Sequence, residues 1–108
     1  MGRRGEDLAA AWYARHGGVV VARNWRCRDG ELDLVVRDGP WLVFVEVKAR
    51  TSDRFGHPAE SVTPAKQRRL RRLAMRFLDD RQGAGVGRIR FDVVSVLGGE
   101  VRVDRAAF

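Results

Sequence analysis

Residues 31–36, Glu31-Leu32-Asp33-Leu34-Val35-Val36, and residues 41–48, Trp41-Leu42-Val43-Phe44-Val45-Glu46-Val47-Lys48, decide how this chain is read. Both are rich in Val, Leu and aromatic residues, and the first alternates at period two, the spacing of a strand half-buried against a core. Arg37-Asp38-Gly39-Pro40 between them reads as a turn, so the two strands form a hairpin. On the second strand Val43, Val45 and Val47 share the core face, while Phe44, Glu46 and Lys48 share the other. A hairpin turning symmetrically about Asp38-Gly39 sets Asp33 opposite Phe44 and Glu31 opposite Glu46. Glu31, Asp33 and Glu46 then converge on one face of the sheet.

Upstream of the hairpin, Gly5 to His16 reads as an Ala-rich helix with Glu6 and Asp7 in its first turn, where the helix dipole favours negative charge, and Gly17-Gly18 stops it. Val19-Val20-Val21 opens a β-branched strand toward Trp25, and Asp29-Gly30 is a turn pair. Downstream, Thr51 to Ser61 has no period and reads as a loop placed to clamp a substrate. Thr63 then supplies an N-cap and Pro64 a first helical position. Leu70, Leu73, Ala74, Phe77 and Leu78 fall at i, i+3, i+4, i+7 and i+8, one core-facing stripe, with Arg68, Arg71, Arg72 and Arg76 on the rest of the cylinder. A flexible link from Gly83 to Gly87 precedes a strand from Ile89 to Leu97 and a short strand from Val101 to Val103. The expected architecture is a single α/β domain over residues 1–108: helix, three strands, helix and two strands, with a mixed sheet flanked by helices.

The length of 108 residues allows one domain, and 44% hydrophobic residues are enough for a core. Cys27 is the only cysteine, so no intramolecular disulfide can form, and a reducing cytoplasm is the expected setting. The chain begins with charged residues, and its longest apolar run, Trp41 to Val45, is far short of the ~18 residues of a membrane span. The expectation is a soluble, unprocessed protein. Twenty-one Lys and Arg against 14 Asp and Glu give a net charge of +7, which points to a polyanionic partner.

Carboxylates directly opposed on a sheet cost up to ~1 kcal/mol per pair, and a divalent cation is the simplest compensation. A solvated face whose charges are paired by arginines is the competing reading, and for an isolated Glu-x-Lys pattern the commoner one. The combination argues otherwise. Lys48 and Lys66 are the only lysines among the 21 basic residues, and both fall on this constellation, Lys66 on the Leu70 side of its helix. A compact ammonium that orients water or neutralises a phosphoryl oxygen is not replaced by a guanidinium fork.

At these residues the sequence resembles the PD-(D/E)xK nuclease superfamily and, within it, the small bacterial YraN-like family. The likeness rests on Gly5-Glu6 with Ala9-Ala10, Arg23-Asn24, Gly30-Glu31-Leu32-Asp33-Leu34, Phe44-Val45-Glu46-Val47-Lys48-Ala49-Arg50, Phe55-Gly56, Lys66, and Arg90-Phe91-Asp92-Val93-Val94. It implies a restriction-endonuclease-like core related to Holliday-junction resolvases, with Asp33 and Glu46 as ligands of Mg²⁺ or Mn²⁺ and Lys48 polarising the attacking water. Leu32 stands where the superfamily pattern has Pro, a departure that the YraN-like family shares. The implied activity is metal-dependent hydrolysis of DNA phosphodiesters, at branched or junction structures, by a protein that forms a homodimer on DNA.

Glu6 serves either the dipole of its helix or, on the family pattern, the site as an outer carboxylate. Glu31 is a third ligand or, the preferred reading, a partner that supports the ligands. Arg50 faces phosphate beyond Lys48 or is solvated surface. Lys66, Arg68, Arg69, Arg71, Arg72 and Arg76 form a block with no acid, and beside a carboxylate site this reads as a phosphate-tracking surface. His16 and His57 have no partner at zinc spacing. Trp12, Trp25 and Trp41 read as core or sheet cover, and Asp92 as an acceptor for a neighbouring Arg. Two other functions compete with the nuclease: a nucleic-acid-binding module that keeps the fold without turnover, and a protein-interaction adaptor docking through the basic helix.

Overall fold

The computed structural model describes residues 3–49, 62–81 and 87–108. Helix α1 (Arg3–Arg15) is followed by three strands, β1 (Val19–Cys27), β2 (Gly30–Asp38) and β3 (Trp41–Ala49). Helix α2 (Pro64–Asp80) crosses to β4 (Arg88–Leu97), and β5 (Glu100–Asp104) returns beside it. The element order is the one expected, and the strands form a five-stranded mixed sheet in the order β1-β2-β3-β4-β5. All neighbours are antiparallel except β3 and β4, whose parallel pairing requires the crossover that α2 provides.

Each helix covers one face of the sheet. The stripe Leu70, Leu73, Ala74 and Phe77 of α2 packs with Leu32, Val35, Leu42, Phe44, Phe91 and Val93. Ala9 and Tyr13 of α1 pack on the opposite face with Leu34, Val36, Val43, Val45, Val47 and Val94. The strands are therefore not half-buried as the alternation suggested: Leu34, Val35 and Val36 are all fully buried, because both sides of the central strands meet a helix. Trp12, Trp25 and Trp41 pack at the margins of these cores, as sheet cover.

α2 starts as its sequence indicates, with Thr63 Oγ1 accepting from the backbone N–H of Lys66 at 3.2 Å and Pro64 in the first turn.

The hairpin register differs from the symmetric expectation by two residues. Asp38 pairs with Trp41, so Gly39 and Pro40 form a two-residue turn, with Gly39 at the positive φ (58°) that primed hairpin turns need. Val35, not Asp33, therefore lies opposite Phe44. The paired register ends at Leu34 and Val45. Beyond it β2 is irregular: Leu32 and Leu34, two residues apart, lie in opposite cores, whereas a regular pleat would put them on one face. Facing this point, the β1–β2 register omits Asn24 and Asp33, and Asn24 takes a left-handed φ of 52°. Asp33 thus sits where the sheet departs from regular geometry.

Asp92 is a structural acceptor. It is fully buried on β4, and its carboxylate accepts from Tyr13 Oη at 2.6 Å, from Arg90 Nε at 2.9 Å and from the backbone N–H of Ala106 at 3.0 Å. Arg90 also bonds Asp38 at 3.0 Å. One network therefore joins α1, the hairpin turn, β4 and the segment after β5.

Candidate active site

The irregularity in β2 turns Asp33 toward β3, where its Oδ2 accepts the backbone N–H of Val47 at 2.9 Å. Glu46 lies alongside. Glu31 follows the β1–β2 turn, at whose end Gly30 adopts φ 141°, a value that excludes most side chains. Glu6 comes from α1 and is only 4% exposed, so it is not the solvated first-turn acid that the dipole alone would explain. One oxygen from each of Glu6, Glu31 and Asp33 lies within 4.8 Å of the others. Burial, a hydrogen bond shared with Glu46, and the charges of Glu46 and Glu6 push the Asp33 carboxyl up from 3.8 to about 7, against the opposing pull of the Val47 N–H.

Among the described residues, the carboxylates that each place an oxygen within 4.8 Å of the others are Glu6, Glu31 and Asp33, and Glu46, the third member of the expected trio, lies beside Asp33. Glu46 bonds Asp33 and holds the ammonium of Lys66 2.7 Å from its Oε2. That buried oxygen has no well-directed hydrogen bond even so, because the ammonium is close but not aligned. Lys66 is carried toward the sheet as its place on the Leu70 side indicated. Burial alone would lower its pKa, but the neighbouring Glu46 carboxylate outweighs it, so the Lys66 pKa is raised above that of a free lysine. Lys48 shifts the other way: burial and the adjacent Lys66 lower its pKa, against attraction from Glu46 and Asp33. The two lysines are therefore shifted in opposite directions.

Ser95 is a residue that sequence reasoning missed. It pairs with Lys48 across the parallel β3–β4 register, is 2% exposed, and its Oγ has no hydrogen-bond partner among the described residues. A single serine in an apolar strand carries no signal that would single it out.

Arg68, Arg69, Arg71 and Arg72 are all exposed on α2. They are not equivalent: the Arg71 guanidinium lies over the rings of Phe91 and Phe108, at 5.0 and 5.4 Å. Arg76 pairs with Asp29 of the β1–β2 turn at 2.9 Å. Arg50, Phe55, Gly56, His57 and the loop from Thr51 to Ser61 lie outside the described residues, as does most of the link before β4. His16 stacks on Trp12 and, among the described residues, is part of no ligand cluster.

The three clustered carboxylates are hard oxygen donors without His or Cys. That set fits a divalent cation of the Mg²⁺ or Mn²⁺ type and not a structural zinc, and such an ion would offset the burial, and the smaller repulsion from Glu46 and Glu6, that raise the Asp33 carboxyl.

The chain is 57% identical over 97 residues to a UPF0102 protein of Beutenbergia cavernae, covering 90% of this chain and 81% of the relative. It is 55% identical over 97 residues to a UPF0102 protein of Streptomyces griseus, covering 90% and 82%. A third relative, from Rhodococcus jostii, is 52% identical over 97 residues, covering 90% and 81%. The model of the Uncharacterised protein family UPF0102 matches residues 5–96. The chain belongs to the UPF0102 family. The UPF0102 match spans every residue of the site just described, from Glu6 through Asp33, Glu46 and Lys48 to Lys66 and Ser95. No helix of this UPF0102 protein is long and apolar enough, among the described residues, to cross a membrane.

Proposed function

We propose that this UPF0102 protein is a metal-dependent endonuclease that hydrolyses DNA phosphodiesters, with the PD-(D/E)xK nuclease fold as its framework. One observation carries the reading: Glu6, Glu31 and Asp33 are held together against their mutual repulsion beside two lysines of opposite inclination. A pure binding surface for a polyanion gains nothing from clustered carboxylates.

Glu6, Glu31 and Asp33 would hold the cation, which when bound supplies Lewis-acid chemistry to a phosphodiester. The Val47 N–H orients Asp33. Glu46 anchors the Lys66 ammonium, which faces the negative charge of the phosphate. Lys66 in turn disfavours a second positive charge on Lys48, whose Nζ would orient and polarise the attacking water. The exposed arginines of α2 follow the backbone of the DNA. Likeness to junction resolvases extends the proposal to branched DNA, whose two-fold symmetry calls for a homodimer on the substrate.

The test is incubation with linear, flapped and four-way DNA in Mg²⁺ or Mn²⁺, beside DNA binding in chelator. Asp33→Asn and Lys48→Ala should each abolish cleavage. In chelator Asp33→Asn should bind as tightly as the parent or more so, having lost a repulsive charge, while Lys48→Ala binds slightly less well. A parent that binds DNA and cleaves none of the panel would replace the enzyme with a binding module. Cleavage that survives in Asp33→Asn would sink the carboxylate assignment.

A further inference from the structure

The arginines of this chain sort by what they touch. Arg23 pairs with Asp7, Arg76 with Asp29, and Arg90 with Asp38 and Asp92. Arg71, Arg81, Arg88 and Arg105 lie over aromatic rings. Among the described residues Arg28, Arg69 and Arg72 have no such partner, and all are exposed.

The fold brings the β1–β2 turn against α2. Arg69, Arg72 and Arg76 fall at i, i+3 and i+7 on one flank of α2, a stripe about 10 Å long at the helix rise. The Arg76–Asp29 pair fastens that flank to the β1–β2 turn. The turn lies close on the helix, since a Cβ on Gly30 would meet Leu73 Cδ1 at 3.5 Å. Around this turn opens a cleft of about 440 Å³ lined by Arg26, Cys27, Arg28, Gly30 and Glu31. Glu31 is also a member of the carboxylate cluster, so the cleft adjoins the candidate site. Arg26 meets Glu31 at 3.3 Å with its side chain 76% exposed, a loose surface pair that contributes little and yields readily to a phosphate.

We infer that the β1–β2 turn is a second phosphate-binding wall: Arg26, which shares with Glu31 the face of β1 away from α2, and Arg28 in the turn hold the nucleic-acid strand flanking the carboxylate cluster. A strand backbone advancing ~3.4 Å per phosphate meets both charges along this cleft. For its substrate class the inference rests on the nuclease reading, but its predictions concern binding alone.

Cys27 lines the cleft and is the only cysteine, which makes it a reporter. The experiment measures its alkylation by N-ethylmaleimide in chelator, with and without duplex DNA, and the salt dependence of duplex affinity. Bound duplex should slow alkylation of the parent several-fold. Arg26→Gln/Arg28→Gln should lose that protection, and the slope of log affinity against log salt should fall by one to two units at ~0.9 per phosphate. Arg28→Ala alone, which breaks no ion pair, should lower the slope by about one unit and keeps the test valid if the double variant folds poorly. An unchanged slope in Arg28→Ala with Cys27 alkylated equally fast in the presence of DNA would overturn the inference, whether or not the parent cleaves. Protection and a reduced slope in a parent that never cleaves would support the groove while removing the enzyme.

Discussion

Lys66 reaches from the first turn of α2 to the sheet and sets its ammonium 2.7 Å from Glu46 Oε2, although residues 50–63 separate β3 from α2. The pair fixes the helix start over β3 and supplies a positive charge next to Lys48. Lys66→Met should leave the Glu46 carboxylate, whose side chain is 11% exposed, without its counter-ion. We expect a loss of about 1 to 2 kcal/mol in urea unfolding, between the values for surface and buried pairs. The same variant removes the repulsion on Lys48, so the pH profile of cleavage should shift upward. Lys66→Arg should recover the stability and much of the profile; failure of Lys66→Met to move the profile would detach Lys66 from Lys48.

The Asp33 carboxyl, raised from 3.8 to about 7, makes stability depend on pH in a defined direction. Between those values the folded state holds a proton that the unfolded chain has released, so unfolding free energy falls as pH rises through the window and stays low above it. In chelator, Asp33→Asn should be close to the parent below about pH 4 and more stable at about pH 8. Adding Mg²⁺ or Mn²⁺ at the higher pH should raise the parent toward the variant and leave the variant where it is. Denaturation curves at the two pH values check this, and identical pH dependence in both proteins would refute it.

Asp92 accepts from three elements, so its loss should be costly. Tyr13→Phe deletes one hydrogen bond to a charged acceptor and should cost about 1.5 to 3 kcal/mol. Asp92→Ala also strands the Tyr13 hydroxyl, the Ala106 N–H and part of Arg90, and should cost about 3 to 5 kcal/mol. Guanidinium unfolding of the two variants measures both values; a milder effect for Asp92→Ala than for Tyr13→Phe would contradict the network.

Arg71 and its neighbours on α2 should separate by assay. Arg71→Ala removes the cover of Phe91 and Phe108 and should lower stability by roughly 0.5 to 1 kcal/mol. Arg68→Ala/Arg72→Ala should leave stability nearly unchanged and lower the salt slope of DNA binding by one unit or more, at ~0.9 per phosphate. The opposite pattern would reassign the phosphate surface.

Much of this was legible locally. The apolar stripe of α2, its Thr63 cap and Pro64 depend on near neighbours, and the helix begins where they indicate. The placement of Lys66 over Glu46 followed from the same periodicity. Burial on both faces was also on view, in the unbroken runs Leu34-Val35-Val36 and Leu42 to Val45, where the alternation of the flanking residues drew attention away. The hairpin register was misread because Asp38-Gly39 and Gly39-Pro40 are both plausible turn centres, and the choice rests on how each strand packs on the helices. Glu6 was ambiguous for a deeper reason: its burial is created by docking α1 on the sheet, a contact between distant parts of the chain. The pairing of Ser95 with Lys48 depends likewise on the parallel crossover.

The parallel β3–β4 pair has a kinetic corollary. β1, β2 and β3 form a meander whose contacts are close along the chain, whereas β4 joins only after the α2 crossover closes, the slower class of event. Asp33 and Glu46 therefore meet early, in a hairpin still open to water. Glu6, which completes the acidic cluster, arrives with the docking of α1, and Lys66 with the crossover. If those dockings follow the folding transition state, the repulsion among Glu6, Glu31 and Asp33 is felt on the native side of the barrier. Relieving it by Asp33→Asn would then slow the unfolding rate in metal-free buffer and leave the folding rate almost unchanged.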